Sequence, residues 1–150
     1  GVVYQNPDYQ LFMPTAEKEI KFGAKSDEYA DEIAEKFGVK HLYVRHPQSL
    51  SEGQKRRVSI AAVVATAPEV LILDEPTVGQ DYKGLCEMTE ILNRIHEETK
   101  NTMITVTHDK RCAAALCDRA VWIKDGKARK TGGKELAEEF FKDPTGNAKN

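Results

Sequence analysis

The sequence predicts an α/β domain built on a mostly parallel sheet, and three observations carry that reading. Apolar, β-branched runs alternate with amphipathic helical stretches, as in "EVLILDE" and "TMITVTH" separated by a helical segment. The apolar runs close on acids or other polar residues, the pattern of buried parallel strands. Near the C-terminus "AVWIK-DG-KARKTG" carries the Asp-Gly turn of a hairpin.

Taken in order, "GVVYQ" reads as a buried strand stopped by Asn6, Pro7 and Asp8. It begins at Gly1 without an initiator Met, which we read as a strand of a longer protein already under way. A loop is expected next. From Ser26, a capping residue, Tyr29, Ile33 and Phe37 repeat on one helical face and Gly38 supplies the stop. After "SLSEG" a helix is expected from Gln54 to Thr66, with Val58, Ala61, Ala62 and Ala65 on one side and Pro68 beyond its end. "EVLILDE" follows as a fully buried strand. Asp81 to Thr99 forms the next helix, with Leu85, Met88, Leu92 and Ile95 inward, and "TMITVTH" the next strand. "RCAAALC" is helical, the hairpin follows, and "GGKELAEEFF" restarts a helix before a frayed polar tail, "KDPTGNAKN".

Composition narrows the function classes. The chain has 150 residues, 40% hydrophobic and 31% charged, enough for one packed domain. A net charge of -2 gives no global field toward nucleic acid or an anionic membrane, so no nucleic-acid partner is expected. No apolar run approaches a membrane span and "GVVYQNPD" is not a signal peptide, so a cytosolic location is expected. Cys86, Cys112 and Cys117 are read as reduced packing residues rather than metal ligands or a disulfide framework.

The chemistry concentrates at strand ends. "VLIL" delivers Asp74 and Glu75 to the carboxyl edge of a parallel sheet, where such sheets bind ligands. Because successive side chains of an extended segment diverge, one carboxylate can hold a hydrated magnesium ion while the other orients and deprotonates water. The competing reading is a solvated acidic loop. His108 closes "TVTH" on the same edge and can hydrogen-bond a phosphate as charge builds; a structural histidine is the alternative. His41, His46 and His96 have no such context. "SLSEGQ" runs into a helix, so amides near Ser51 and Gly53 would face an anion, or Ser51 simply caps the helix. The "KRR" that follows is either a solvated face or a neutraliser of nearby acids.

"VVYQNPDYQLF", "LSEGQKRRVSIA", "VLILDEPT", "VGQD" and "ITVTHD" occur in the order of the glutamine loop, signature, Walker B, aspartate loop and histidine switch of ATP-binding cassette (ABC) ATPases. The chain resembles that family from Gly1 to about Gly132. "YQNPDYQLF" followed by "PTAEKEIKFG" is most similar to its cobalt/nickel and energy-coupling-factor importers.

The resemblance implies a partial P-loop NTPase-like ABC ATPase domain over residues 1–150. It would comprise a glutamine loop, helical subdomain and signature at about 6–67, Walker B to histidine switch and hairpin at 68–132, and a C-terminal helix and tail at 133–150. ATP and Mg2+ are the implied cofactors. Gln5 would sense magnesium and the lytic water, Asp74 would support magnesium, Glu75 would be the general base, and His108 would contact the γ-phosphate. Ser51, Gly53 and Gln54 would bind a nucleotide held mainly by a second ABC ATPase subunit, and Asp81 would bridge the dimer. Tyr9, Leu11, Phe12 and Phe22 would receive an integral membrane transport subunit, placing the protein peripherally on the inner face of the cell membrane; the alternative is an ordinary apolar cluster.

Three substitutions depart from the family pattern. Glu52 stands where glycine is commonest, Gln80 replaces a usual leucine and Tyr82 a frequent proline. A phosphate loop, G-x-x-x-x-G-K-S/T, is not found; the nearest match, ending "GGKE", has Ala128 for its first glycine and Glu135 for its hydroxyl. Little ATP turnover is therefore expected of this chain alone. The strand that carries the loop would also be missing from the sheet, so marginal stability or oligomerisation is expected. A non-catalytic interaction module, or an ABC ATPase of DNA repair or translation, is the alternative function.

Overall fold

The computed structural model describes residues 1–142, so the expected frayed tail beyond Lys142 lies outside the described residues. Two compact units emerge, Gly1–Val106 and Thr107–Asn150. The first contains β1 (Val2–Val3), α1 (Ala16–Lys21), α2 (Asp27–Lys36), α3 (Glu52–Ala65), β2 (Val70–Asp74), α4 (Tyr82–Thr99) and β3 (Thr102–Val106). The second contains α5 (Lys110–Leu116), β4 (Arg119–Lys124), β5 (Lys127–Gly133) and α6 (Lys134–Lys142).

In the first unit β1, β2 and β3 form a parallel sheet in that order. Val70 pairs with Thr102 and Asp74 with Val106, while the two residues of β1 pair with Ile72 and Leu73. The strands were expected to be buried on both faces. Leu71 and Leu73 are indeed fully buried, but Val70, Ile104 and Val106 are exposed. A continuous apolar run does not distinguish two covered faces from one, because both faces of such a strand carry hydrophobic side chains.

The helices form where capping and periodicity place them. Ser26 Oγ accepts from Tyr29 N at 3.1 Å, α2 buries Ala30, Ile33 and Ala34, and Gly38 takes the left-handed φ of +66° that ends it. Ile20, Ile33, Phe37, Val58 and Ile60 are fully buried and make the helical core. Met88, Leu92 and Ile95 repeat on the inward face of α4.

The stretch after Pro14, expected to be loop, is the helix α1. Thr15 caps it by accepting from Lys18 N, and Ala16 and Ile20 are buried at i+4 spacing. Six residues give too little periodicity to stand out, but Thr15, Ile20 and Gly23 are the signals that mark it.

The second unit is a hairpin with helices. Asp125 and Gly126 both have positive φ, 53° and 70°, the requirement of a type I′ turn met by Asp-Gly. Trp122 is buried, and Phe140 of α6 meets it edge-on at 5.2 Å. Asp109 caps α5, accepting from the backbone N–H groups of Arg111 and Cys112.

The hydrogen bond from the Arg111 side chain, with those two backbone donors, holds the Asp109 carboxyl down from 3.8 to about 2 against the opposing effect of burial. A carboxyl lowered by folding stabilises the fold above its unfolded value and loses that contribution as pH falls through its folded value. The unfolding free-energy gap between wild type and Asp109→Ala is therefore expected to be constant above about pH 5 and to narrow from about pH 4 to pH 2. Urea titrations across that range measure it; a gap independent of pH contradicts the assignment.

Candidate functional site

The carboxyl edge of the sheet gathers three of the expected residues. Gln5 follows β1 by two positions, Asp74 is the last residue of β2, and Glu75 comes next. Asp74 shares a face with Ile72 and pairs with Val106; among the described residues its side chain makes no hydrogen bond or ion pair. Glu75 leaves the strand through a left-handed φ of 48° while its N–H still donates to the Val106 carbonyl at 2.9 Å. The two carboxylates thus diverge by a backbone kink, not by the pleat expected of an extended pair. A left-handed non-glycine residue costs about 1–2 kcal/mol, so the surrounding ladder and turn must hold it. Glu75 is buried, at 8% exposure, whereas a solvated acidic loop would leave it open.

His108 was expected to close β3, but the strand ends at Val106 and His108 falls in the second unit. There Asp109 N donates to Thr107 Oγ1 at 3.0 Å, so the chain turns into α5 at once instead of extending. His46 accepts from Gln48 N, and His96 Nδ1 lies 3.4 Å from Asn101 Oδ1, both structural roles.

Ser51 and Gly53 meet Asp81 in a second place. An open groove of about 580 Å³ is lined by Ser51, Glu52 and Gly53 at the start of α3, by Gly79, Gln80, Asp81 and Gly84 at the start of α4, and by Arg57, Lys83 and Glu87. Ser51 caps α3 in a capping box: its Oγ accepts from Gln54 N, and its N–H donates to Gln54 Oε1 at 3.0 Å. Gln54 is committed to that box and does not line the groove. Asp81 caps α4 through Gly84 N at 2.7 Å. Two helix N-termini therefore border one concavity, an arrangement suited to an anion.

The substitutions noted in the sequence have local partners. Glu52 lies 3.4 Å from Lys55 Nζ, which offsets its charge. Gln80 donates to the Gly53 carbonyl at 3.4 Å and so ties the two helix starts together. A side chain at Gly53 would meet Gln80 Nε2 at 3.2 Å, a tight contact that the end of the Gln80 side chain would have to shift to relieve. Tyr82 is exposed.

The basic run is not a solvated face. Lys55 and Arg56 are buried, Lys55 pairing with Asp8 at 2.8 Å and Arg57 with Glu87 at 2.6 Å. Arg56, 3% exposed, donates to the carbonyls of Tyr4, at 2.8 Å, and of Gln5. Burial pushes its guanidinium down, and the carboxylates of Glu52, Asp74 and Glu75 oppose that. Sequence reasoning offered neutralisation of acids as one possibility for these residues; the carbonyl contacts of Arg56 had no sequence signal, since backbone acceptors are invisible in side-chain patterns.

The expected partner surface separates into two parts. Tyr9, Phe12 and Phe22 are 83%, 68% and 58% exposed, with Phe12 and Phe22 edge-to-face at 5.4 Å. Leu11, at 5% exposure, belongs instead to the core, because the turn Pro7–Tyr9 carries it beneath the surface. Buried Glu19 accepts from the backbone N–H groups of Phe12 and Met13 at 3.0 and 2.7 Å, fixing the segment that presents Phe12. Of the cysteines, Cys112 is buried as expected, Cys86 is exposed, and no disulfide joins any of the three.

No cluster of three or more His, Cys, Asp or Glu residues that could cage a metal occurs among the described residues. Asp74 nevertheless fits a magnesium ion that keeps its waters and uses one protein carboxylate with substrate phosphates. Among the described residues, no helix is long and apolar enough to cross a membrane.

The chain is similar to known proteins in sequence and in fold. The family model described as ABC transporter matches residues 1–78. The energy-coupling factor transporter ATP-binding protein EcfA2 of Enterococcus faecalis is 43% identical over 141 residues, 88% of this chain and 49% of that protein. The EcfA2 of Geobacillus kaustophilus is 41% identical over 152 residues, 95% of this chain and 51% of that protein. The solved structure of cbiO1 from Clostridium perfringens, part of the ABC transporter complex cbiONQ, superimposes with a TM-score of 0.78 at 34% identity, covering 96% of this chain and 59% of that one. A dimeric ATP-binding cassette in a post-hydrolysis state with ADP and Pi gives a TM-score of 0.77 at 27% identity, covering 89% and 62%. The fold is that of the α/β ABC ATPases, and the chain spans about half the length of the curated relatives it matches.

Removing the Glu19 carboxylate should leave two partly buried donors without an acceptor. Glu19→Ala is expected to cost about 1–3 kcal/mol in urea unfolding, and Glu19→Gln, which keeps one acceptor, distinctly less. Equal stability of the Ala variant and wild type would show that the contact does not hold the Phe12 segment.

Proposed function

This chain belongs to the ABC transporter family, and on that premise we propose that it forms part of the ATP-binding and ATP-hydrolysing subunit of an importer of the energy-coupling-factor or cobalt type. Its relatives support the type: EcfA2 proteins at 41–43% identity and cbiO1 at 34%. The protein would act peripherally on the inner face of the membrane. A second ATPase subunit would stand across the groove of Ser51 and Asp81, and a membrane subunit would dock against Tyr9, Phe12 and Phe22.

The observation that carries the hydrolytic reading is the gathering of Gln5, Asp74 and a buried Glu75 at the carboxyl edge of one parallel sheet. Magnesium, when bound with ATP, supplies charge neutralisation on the phosphates, and Asp74 and Gln5 are the residues that would hold its hydrated shell. Glu75 accepts the proton of the attacking water on its carboxylate, its burial keeping other water out. His108 donates a hydrogen bond to the γ-phosphate as charge develops. Ser51 and Gly53 present donors to a nucleotide held mainly by the second subunit, Gln54 holds Ser51 in place through the capping box, and Asp81 fixes the opposite wall.

Hydrolysis is assigned to a protein of the relatives' length. No G-x-x-x-x-G-K-S/T loop lies within these 150 residues, so this chain by itself should turn over little ATP. In the full-length subunit, Glu75→Gln should lower ATP turnover about 10²–10⁴-fold while leaving ATP affinity nearly unchanged. Phosphate release and equilibrium ATP binding read the two quantities. Wild-type turnover by the Gln variant would overturn the assignment of Glu75.

A further inference from the structure

We propose that Arg56 is a positioning residue for Gln5, making the placement of that side chain depend on α3, the helix whose first turn borders the groove. The inference rests on the function proposed above. It starts from how briefly the sheet supports this segment. The β1 ladder ends at Val3, two residues before Gln5, so pairing with β2 does not fix the Gln5 backbone.

Its support comes from α3. Arg56 spreads its two terminal nitrogens over consecutive carbonyls, those of Tyr4 and Gln5. One residue earlier Lys55 reaches Asp8, and one turn later the Ser59 carbonyl accepts from Gln10 Nε2 at 2.8 Å. Gln10 Oε1 in turn accepts from Tyr4 N at 3.4 Å. Residues 4–10 are thereby strapped along one side of α3, with Arg56 at the point nearest Gln5.

The energetics favour a positional role over a purely stabilising one. Arg56 is a buried cation, and its Nε is the buried side-chain nitrogen or oxygen without a hydrogen-bond partner among the described residues. A buried charge that is incompletely paired is poor at stabilising a fold, and an apolar side chain of similar volume often packs as well. An apolar replacement would leave the Tyr4 and Gln5 carbonyls without those donors. The planar fork of a guanidinium fits two adjacent acceptors at fixed separation, whereas a lysine ammonium is a single point that cannot hold both.

The test uses the full-length subunit assembled with its membrane partner, with ATP turnover measured across magnesium concentration for wild type, Arg56→Lys, Gln5→Ala and the double variant. Arg56→Lys should lower kcat about 10-fold and raise the magnesium concentration for half-maximal rate several-fold, with the KM for ATP within about twofold, as a misplaced group does without loss of substrate binding. Gln5→Ala should shift the same two quantities. The double variant should be within about twofold of the worse single one, because both act through one side chain. Multiplying losses, or a Lys variant that behaves as wild type, would overturn the proposal. Should Arg56→Lys fail to fold, Gln10→Leu removes another tether of the same segment without touching the buried charge; an unchanged magnesium requirement there overturns the proposal equally. Glu75→Gln in the same preparation separates two failures: if it turns over at the wild-type rate the functional reading falls, and if it is inactive while Arg56→Lys is unaltered only the role of Arg56 falls.

Discussion

The ladder between β2 and β3 is the constraint on which the first unit depends. Five residues of each strand pair in parallel and in register, from Val70 with Thr102 to Asp74 with Val106. A parallel ladder brings the carboxyl ends of its strands to one edge, so the residue that ends β2 and the loop that follows it must lie where ligands approach. The ladder also explains how Glu75 tolerates a left-handed backbone. Its N–H continues the pairing by donating to Val106, and Val78 N donates back to its carbonyl at 3.2 Å, so the kink is held from both sides. A shift of one residue in this register would exchange the open and covered faces and move Asp74 among buried leucines.

Against that fixed edge, α3 is the element that connects. Its buried residues Val58, Ile60, Ala61 and Ala65 belong to a helix that packs mainly against α1 and α2. Its polar residues do something less ordinary, because Lys55 and Arg56 are buried and spend their donors on the 4–10 segment instead of on water. Arg57 turns to α4 through Glu87. Three consecutive basic residues therefore reach two different parts of the unit, which a helix achieves because each step rotates the side chain by about 100°.

Much of this was legible in the sequence. The strands β2 and β3, the helices α2, α3 and α4, and the Asp-Gly hairpin follow from apolar periodicity, caps and a turn whose φ requirements only certain residues meet. The acids at the sheet edge were legible as motifs in order, whereas the groove that Ser51 and Asp81 line together was not, since the two were read separately. What the pattern could not carry was of another kind. Helix α1 is too short for its period to stand clear of noise, Leu11 is buried by a turn that reverses the chain, and His108 is separated from its strand by a Thr107 side chain that bends the backbone. Arg56 escaped for a further reason: its partners are carbonyls, and every residue has one.

The spacing along α3 gives these contacts a mechanical consequence. Ser51 and Gly53 border the groove, while Lys55, Arg56 and Ser59 hold the 4–10 segment. At 1.5 Å of rise per residue the two sets lie about one turn apart, far shorter than any length over which a helix bends. A displacement of the first turn, such as an anion drawing on the amides around Gly53 would impose, cannot be absorbed within that distance. It must be passed on to Tyr4 and Gln5 or resisted by them. The exposed Tyr9 follows Asp8, which Lys55 holds, and Phe12 follows Gln10 by two residues, so the same strap reaches the aromatic surface proposed for the membrane partner. The groove, the Gln5 backbone and the segment leading to the aromatic surface are thus all tied to α3, and the coupling proposed among them requires only that this helix move as a whole.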